Sequence, residues 1–474
     1  MADIHELLPA LPVGLFQAGP DGRVTAANPA FGALVLGSTG SPLGAPPWAD
    51  AHPGDRASAE LAWRRGVEAG GDVEVRVVGA DVGGGFGMKT GIYPEDIAVG
   101  WIARTLGRPV KWQAERLEDF TSAVHGRDVI SRAELALDAQ GKVLALRVRS
   151  LANVGAYPST TAVAIQLLIG PWVATSVYDI PAIDFRFTAV LTNTAPTGAY
   201  RGFGMQEAAW VRERMVDEAA RTLGMDPAEL RRRNMMREDE LPLVTRTFQE
   251  YESGDYPESL AIVAESVREM TGEVRDFGPR MRHGIGYASH VEFTGLGPSP
   301  VQKIVGFHIG GFETAEVRVD MDGSVIVRSG VTSMGQGVET TLAQIAAQNL
   351  GVPLEKVRVE LGDTKTAPYS GSGSIASRSM TVGGGATVVA SDELAAKMRR
   401  IAAHQLEASP EDVEIVDGSF RVVGSGDGAP SITFEKLASD AWLGWDLPEG
   451  ESPGLEAKFV NDPTNIAYSY ATHA

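Results

Sequence analysis

Apolar positions along this chain recur first with period two and then with helical spacing, and the cycle returns more than once. Residues 11–31, LPVGLFQAGPDGRVTAANPAF, hold two short apolar runs parted by Pro20-Asp21-Gly22, which predicts two strands joined by a turn over Gly19–Gly22. WADAHPGDRASAELAWRRGVEAG, 48–70, predicts a helix with Asp55 as N-cap and Gly70 past its end. VEVRVVGADVGGGFGMK, 73–89, is a β-branched strand pattern running into glycines, and EDIAVGWIARTLG, 95–107, a helix stopped by Gly107. AELALDAQGKVLALRV, 133–148, predicts a hairpin turning at Asp138–Gly141, and AEVRVDMDGSVIVRSG, 315–330, repeats its design. The last ten residues, NIAYSYATHA, alternate like a strand and predict a further strand beside them.

Each hairpin belongs to a half that also carries a glycine-rich loop and an amphipathic helix. The fold class is therefore α+β: two pseudo-repeated lobes with mixed sheets and packed helices, over 73–237 and 283–474, preceded by a smaller α+β segment over 1–72. Residues 238–282, rich in Thr, Glu, Tyr, Ser, Asp and Pro, read as a connection packed across both lobes.

Composition narrows the chemistry. With 474 residues, 43% of them hydrophobic, the chain can bury a sizeable core. The longest apolar stretch, around AVAIQLLIG at 162–170, is too short for the ~20 residues that span a bilayer, so no membrane partner is expected. The N-terminus shows no signal-peptide pattern, and the expected location is cytoplasmic. A net charge of −19, from 42 basic and 61 acidic residues, argues against nucleic acid. There is no cysteine, so any redox centre is held without protein sulfur.

Four glycine-rich turns carry candidate chemistry. The first, Gly83 to Thr90, nearly matches a phosphate-binding P-loop, but Met88 stands where the second glycine belongs and would block the approach of backbone to phosphate. Gly84, Gly85, Phe86 and Gly87 still offer amide donors to an anion, or form only a tight turn. In PTGAYRGFGMQEAAW, 196–210, Arg201 and Gly202 suit an anionic or oxo group and Phe203 the face of a planar substrate; capping and core packing are the plainer alternatives. In TSMGQGVETTLAQIAAQNLG, 332–351, Gln336 and Gly337 open a helix. In GDTKTAPYSGSGSIASRSMTVGGGAT, 362–387, serines alternate with glycines, while Ile375, Met380 and Val382 argue for a packed loop over a linker.

Taken in order, VGGGFGMK, GAYRGFGMQEA, MGQGVETTLAQIAAQNLG and GDT…PYSGSGSIASRSMTVGGGA closely resemble the molybdopterin-binding large subunit of the xanthine dehydrogenase, aldehyde oxidase and CO dehydrogenase family, over about residues 73–474. The resemblance implies a molybdenum centre held by a molybdopterin, in its cytosine dinucleotide form, with FAD and [2Fe-2S] centres on partner subunits of a heteromeric hydroxylase. It places Phe86, Arg201 and Ala376 beside the metal through their main chains, Gln336, Ser377, Arg378 and Ser379 around the pterin and its phosphates, and Phe203 at the wall of the substrate pocket. The implied reaction is oxidative hydroxylation of a small aldehyde or heteroaromatic substrate with water. Asp21-Gly22-Arg23-Val24, Asn28-Pro29-Ala30-Phe31, Trp48 and His52-Pro53-Gly54-Asp55-Arg56 resemble the first two-thirds of a PAS sensor domain.

Three departures from the family pattern stand out. Thr90 replaces the glutamate of purine-oxidising members. The family's N-terminal domain, with a glutamine close to the metal, is replaced by the PAS-like piece. The Gly-Glu motif carrying the general base belongs beyond Ala474, so no catalytic residue is identified, Glu207 and Glu339 reading as helix N-terminal carboxylates. The chain alone is therefore expected to be inactive, as a fusion, a frameshift or a truncated frame would leave it. A PAS-type sensory protein with a non-catalytic scaffold is the alternative, and a P-loop ATPase a distant third.

Overall fold

A computed structural model describes residues 16–18, 24–27 and 76–474, apart from 160, 163–164, 273–279, 282, 305–308, 417 and 427. The chain divides into two compact units, Met1–Val75 and Arg76–Ala474. In the first, β1 (Phe16–Ala18) and β2 (Val24–Ala27) pair antiparallel, as the turn chemistry at Pro20-Asp21-Gly22 predicts. The helix expected over 48–70 lies outside the described residues, with Trp48 and His52–Arg56.

The second unit opens with a correction. The strand expected from residue 73 onward is reduced, among the described residues, to a single bridge between Val78 and Asp363. No strand runs alongside it, and Val77 and Val78 stay largely exposed, so β-propensity alone does not complete a ladder. Helix α1 (Pro94–Leu106) then forms as expected, with Pro94 in its first turn and Gly107 closing it at φ 62°. A short α2 (Arg116–Ser122) follows.

The repeated hairpins are real. β3 (Asp128–Leu137) and β4 (Val143–Gly155) pair antiparallel and turn at Asp138–Gly141, and β5 (Ile183–Leu191) adds parallel to β4. A β6 (Leu243–Val244) and β7 (Glu250–Tyr251) ribbon and β8 (Ala288–Phe293) lie between the two hairpins in sequence. β9 (Glu313–Val319) and β10 (Val325–Ser329) turn at Asp320–Gly323, and β11 (Val357–Glu360) adds parallel to β10. In both turns the aspartate amide donates across the hairpin mouth, and Gly141 and Gly323 adopt φ 83° and 78°, which a side chain would resist.

Helices cover each sheet. α3 (Met205–Leu223) and α4 (Pro227–Asn234) pack on the first, burying Val216, Ala220 and Leu230 against Leu146 and Val148. The expected connection contributes α5 (Tyr256–Gly272), whose Tyr256 and Leu260 enter that same core with Val291 of β8. After a short α6 (Ser299–Ile304), the second sheet is covered by α7 (Val338–Leu350) and α8 (Gly385–Gln405), which bury Leu342, Ala346, Leu394 and Met398 over Val317 and Val327. A three-stranded ribbon of β12 (Val413–Val416), β13 (Ser419–Val422) and β14 (Ser431–Thr433) and helix α9 (Phe434–Leu443) extend this core through Phe420 and Phe434. β15 (Glu456–Asn461) pairs with β9, and β16 (Tyr468–His473), the strand expected at the end, pairs with β8.

Candidate functional site

The four glycine turns sit at ends of these elements, where backbone groups lack ladder partners, and they meet. At Gly83–Gly87 the chain adopts left-handed values at Gly84 (φ 107°), Phe86 (51°) and Gly87 (94°). This sharp reversal brings the Phe86 carbonyl to the Arg201 amide, which donates to it at 2.9 Å. Gly87 is packed so closely that a Cβ there would lie 2.9 Å from the Ala199 carbonyl carbon. The first and second turns are thus fused backbone to backbone.

The third turn reaches the first through Gly85, whose Cβ position is 3.2 Å from the Met334 sulfur, and through Gly335, 3.6 Å from the Val82 carbonyl oxygen. It reaches the fourth through Ser374, whose hydroxyl accepts from the Thr332 amide and donates to the Thr332 carbonyl, both at 2.7 Å. Ser379 donates to Ser374 at 3.1 Å. Phe86, Arg201, Gln336 and Ser377 therefore belong to one connected set of loops.

Strain marks the same place. Of the eight described non-glycine residues with positive φ, four are Phe86, Phe203, Ala376 and Ser377, at 51°, 50°, 48° and 56°. Each such conformation costs about 1–3 kcal/mol and persists only where its surroundings force it. Three of them, Phe86, Ala376 and Ser377, are also exposed, so no apolar burial offsets the cost.

The donor set suits a phosphate-bearing pterin. Among the described residues, the amides of Gly84, Gly85, Phe86, Gly87, Ala376 and Ser377 have no protein acceptor. Added Cβ atoms at Gly337 and Gly373 would meet open space. The Gln336 side chain accepts from the Met334 amide at 2.5 Å and donates to the Thr332 carbonyl at 3.2 Å, which pins its own turn and leaves one amide hydrogen for a ligand.

Arg378 corrects the sequence reading. Its guanidinium is fully buried and donates to Glu313 at 2.8 Å and to the carbonyls of Leu296, Gly373, Gly311 and Phe312, so no donor remains for a phosphate. Its role is to fix the fourth turn from within. Burial pushes the Glu313 carboxyl upward, and Ser370, Arg378 and the Thr314 amide oppose that push. Glu313 went unnoticed in the sequence, yet the signal is there: it continues the inward register of Ala315, Val317 and Val319, a carboxylate where the pattern demands an apolar residue.

Phe203 packs with Ile169, Val173, Phe293 and Ile466 in a small apolar cluster beside the second turn. Half-buried Glu292 on β8 was also missed; burial raises its carboxyl, and the Arg201 charge partly offsets this. Glu207 accepts from Arg127 Nε at 2.7 Å, and Arg127 also donates to the Tyr200 carbonyl at 3.1 Å, tying the helix start to the second turn. Glu339 is exposed in the first turn of α7. Among the described residues, no cluster of three or more His, Cys, Asp or Glu could hold a metal directly, so a metal at these loops has to come with its own ligands.

Comparison with known proteins bears directly on this arrangement. The model of the molybdopterin cofactor-binding domain matches residues 71–235 and again residues 259–474, together spanning all four turns. The chain belongs to the molybdopterin-binding large-subunit family. Within that family it is 39% identical over 410 residues to the carbon monoxide dehydrogenase large chain of Hydrogenophaga pseudoflava, covering 84% of this chain and 50% of that one. It is 34% identical to subunit gamma of the 6-hydroxypseudooxynicotine dehydrogenase complex of Paenarthrobacter nicotinovorans, over 84% of this chain and 49% of that one. The crystal structure of quinoline 2-oxidoreductase from Pseudomonas putida 86 superposes with a TM-score of 0.75 at 35% identity, covering 84% of this chain and 50% of that one. The chain spans about half the length of the relatives it matches. A PAS fold model matches residues 8–108.

Proposed function

We propose that this chain is the cofactor-holding part of a molybdenum hydroxylase large subunit, one that hydroxylates an aldehyde or N-heteroaromatic carbon with oxygen from water. The observation that carries the reading is the fusion of the four turns, above all the Arg201 amide on the Phe86 carbonyl at 2.9 Å and the Thr332–Ser374 pair at 2.7 Å. Gly84, Gly85, Phe86, Gly87, Ala376 and Ser377 would hold the molybdopterin through their amides, with Gln336, Gly337, Gly202 and Ser379 completing the cradle. Phe86, Arg201 and Ala376 would flank the metal through their main chains. The bound group supplies the two-electron redox chemistry. The protein orients it, and Phe203, backed by the buried cluster of Ile169, Val173 and Phe293, would offer its ring to a planar substrate.

Relatives named for quinoline and for 6-hydroxypseudooxynicotine support a heteroaromatic substrate. The cytosine dinucleotide form of the cofactor, partner subunits bearing FAD and [2Fe-2S], and a cytoplasmic site belong to the same reading, as does a division into lobes at 73–237 and 283–474 with 238–282 between.

The test is metal and pterin analysis of the full chain purified from a host that makes the cofactor. Near-stoichiometric molybdenum and a pterin nucleotide are expected. Protein that folds but contains neither would overturn the proposal.

A further inference from the structure

Behind the Arg201 turn, between α3 and the inward face of β3, β4 and β5, lies a cavity of about 30 Å³. Its walls are mostly apolar, including Leu146, Val148, Phe185 and Phe187, but Glu207, Ser131, Ser150 and Arg212 also line it. One Glu207 oxygen accepts from Arg127; the other is buried and has no protein partner. No other carboxylate oxygen among the described residues is stranded in this way.

Arg212 donates to Glu213 at 3.0 Å and to the carbonyls of Val173, Ala174 and Ser289, which leaves one Nη2 hydrogen unassigned. The Ser131 and Ser150 hydroxyls, 2.9 Å apart, share one hydrogen bond, which leaves the second hydroxyl hydrogen without an assigned acceptor. An acceptor without a donor and a donor without an acceptor thus line the same small space. Leaving a buried acceptor atom unsatisfied costs about 1–3 kcal/mol. A water needs roughly 10–15 Å³ and two or more polar partners, so the volume admits about two.

We propose that Glu207, Ser131, Ser150 and the remaining Arg212 N–H form a site for about two waters behind the Arg201 turn, which completes the hydrogen bonding of the Glu207 carboxylate.

Xenon separates a wet cavity from a dry one, because apolar cavities that stay dry bind xenon. Crystals of the full chain should show about two ordered waters within hydrogen-bonding reach of Glu207 Oε2 and no xenon under pressure. E207M should lose those waters and admit xenon. Xenon, or an empty cavity, in the wild type overturns the site, and that arm needs no variant to fold.

Discussion

The two lobes repeat one plan, a hairpin with a third strand parallel to its second member, but they fill it differently. In the second, β9 and β10 present valines to α7 and α8, whose facing residues are mostly alanine, leucine and methionine, all essentially buried. In the first, α3 buries Arg212 and Glu213 among its apolar residues, and Glu213 accepts from Arg212 and from Arg231 of α4, each at 3.0 Å, and from Tyr178 at 3.0 Å. Burial drives the Tyr178 hydroxyl well above its ordinary value, which keeps it a donor to that carboxylate. The first lobe sets its buried charges within the helix-on-sheet core, whereas the second confines its buried Arg378–Glu313 pair to the fourth turn. The same strand register therefore supports two kinds of interior, and the four glycine turns bridge them.

That contrast is open to attack. The largest effect is expected from E213A, which strands buried Arg212 and takes from Arg231 one of its two carboxylates: unfolding in urea should show a loss of about 3–5 kcal/mol. L394A, in the second lobe, should cost about 2–5 kcal/mol through the cavity it leaves. If E213L, which removes the charge but fills the space, is as stable as wild type, the charged interior does not specify the first lobe.

Next in size are changes at the turns. G87A meets both a positive φ and the Ala199 backbone at 2.9 Å, whereas G337A meets the same kind of φ, 77°, with open space beyond. G337A should cost about 1 kcal/mol. G87A should cost more and should also release molybdenum from the purified holo-protein; equal molybdenum content in the two variants would separate cofactor retention from contact between the first and second turns.

The smallest effect is pH-dependent. Asp363 accepts from Arg76 Nε at 2.9 Å, a bond that, with the Lys365 amide, holds its carboxyl down to about 2. A depressed carboxyl contributes stability above its ordinary value of 3.8 and loses it as pH falls toward 2. Across that window the amides of Val77 and Gly79, bonded to Thr364 and Gly362, should gain exchange rate in wild type but change little in R76M, with global unfolding unaffected.

Much of the fold was legible because its signals are local. Period-two runs broken by Asp-x-x-Gly predict both long hairpins, and Gly107 stops its helix by permitting a left-handed cap. The strand expected near residue 78 failed because a strand needs a neighbour, which no local pattern supplies. Of the site, the sequence marked the turns but misjudged Arg378. A chain reads an arginine among serines as a ligand for anions, and only the fold brings Glu313, 65 residues away, against it. Arg127 and Glu207, 80 residues apart, were unreadable as a pair for the same reason.

By itself the sequence determined the two long hairpins and the glycine-stopped helix, and that any redox metal must arrive without cysteine, since these follow from side-chain periodicity, backbone conformation and composition. Only the tertiary structure decided which turns touch, which charges are spent on one another and which carboxylate oxygen is left facing no partner. Those outcomes depend on distances between residues far apart in the chain, and burial changes their energies by amounts that no local pattern encodes.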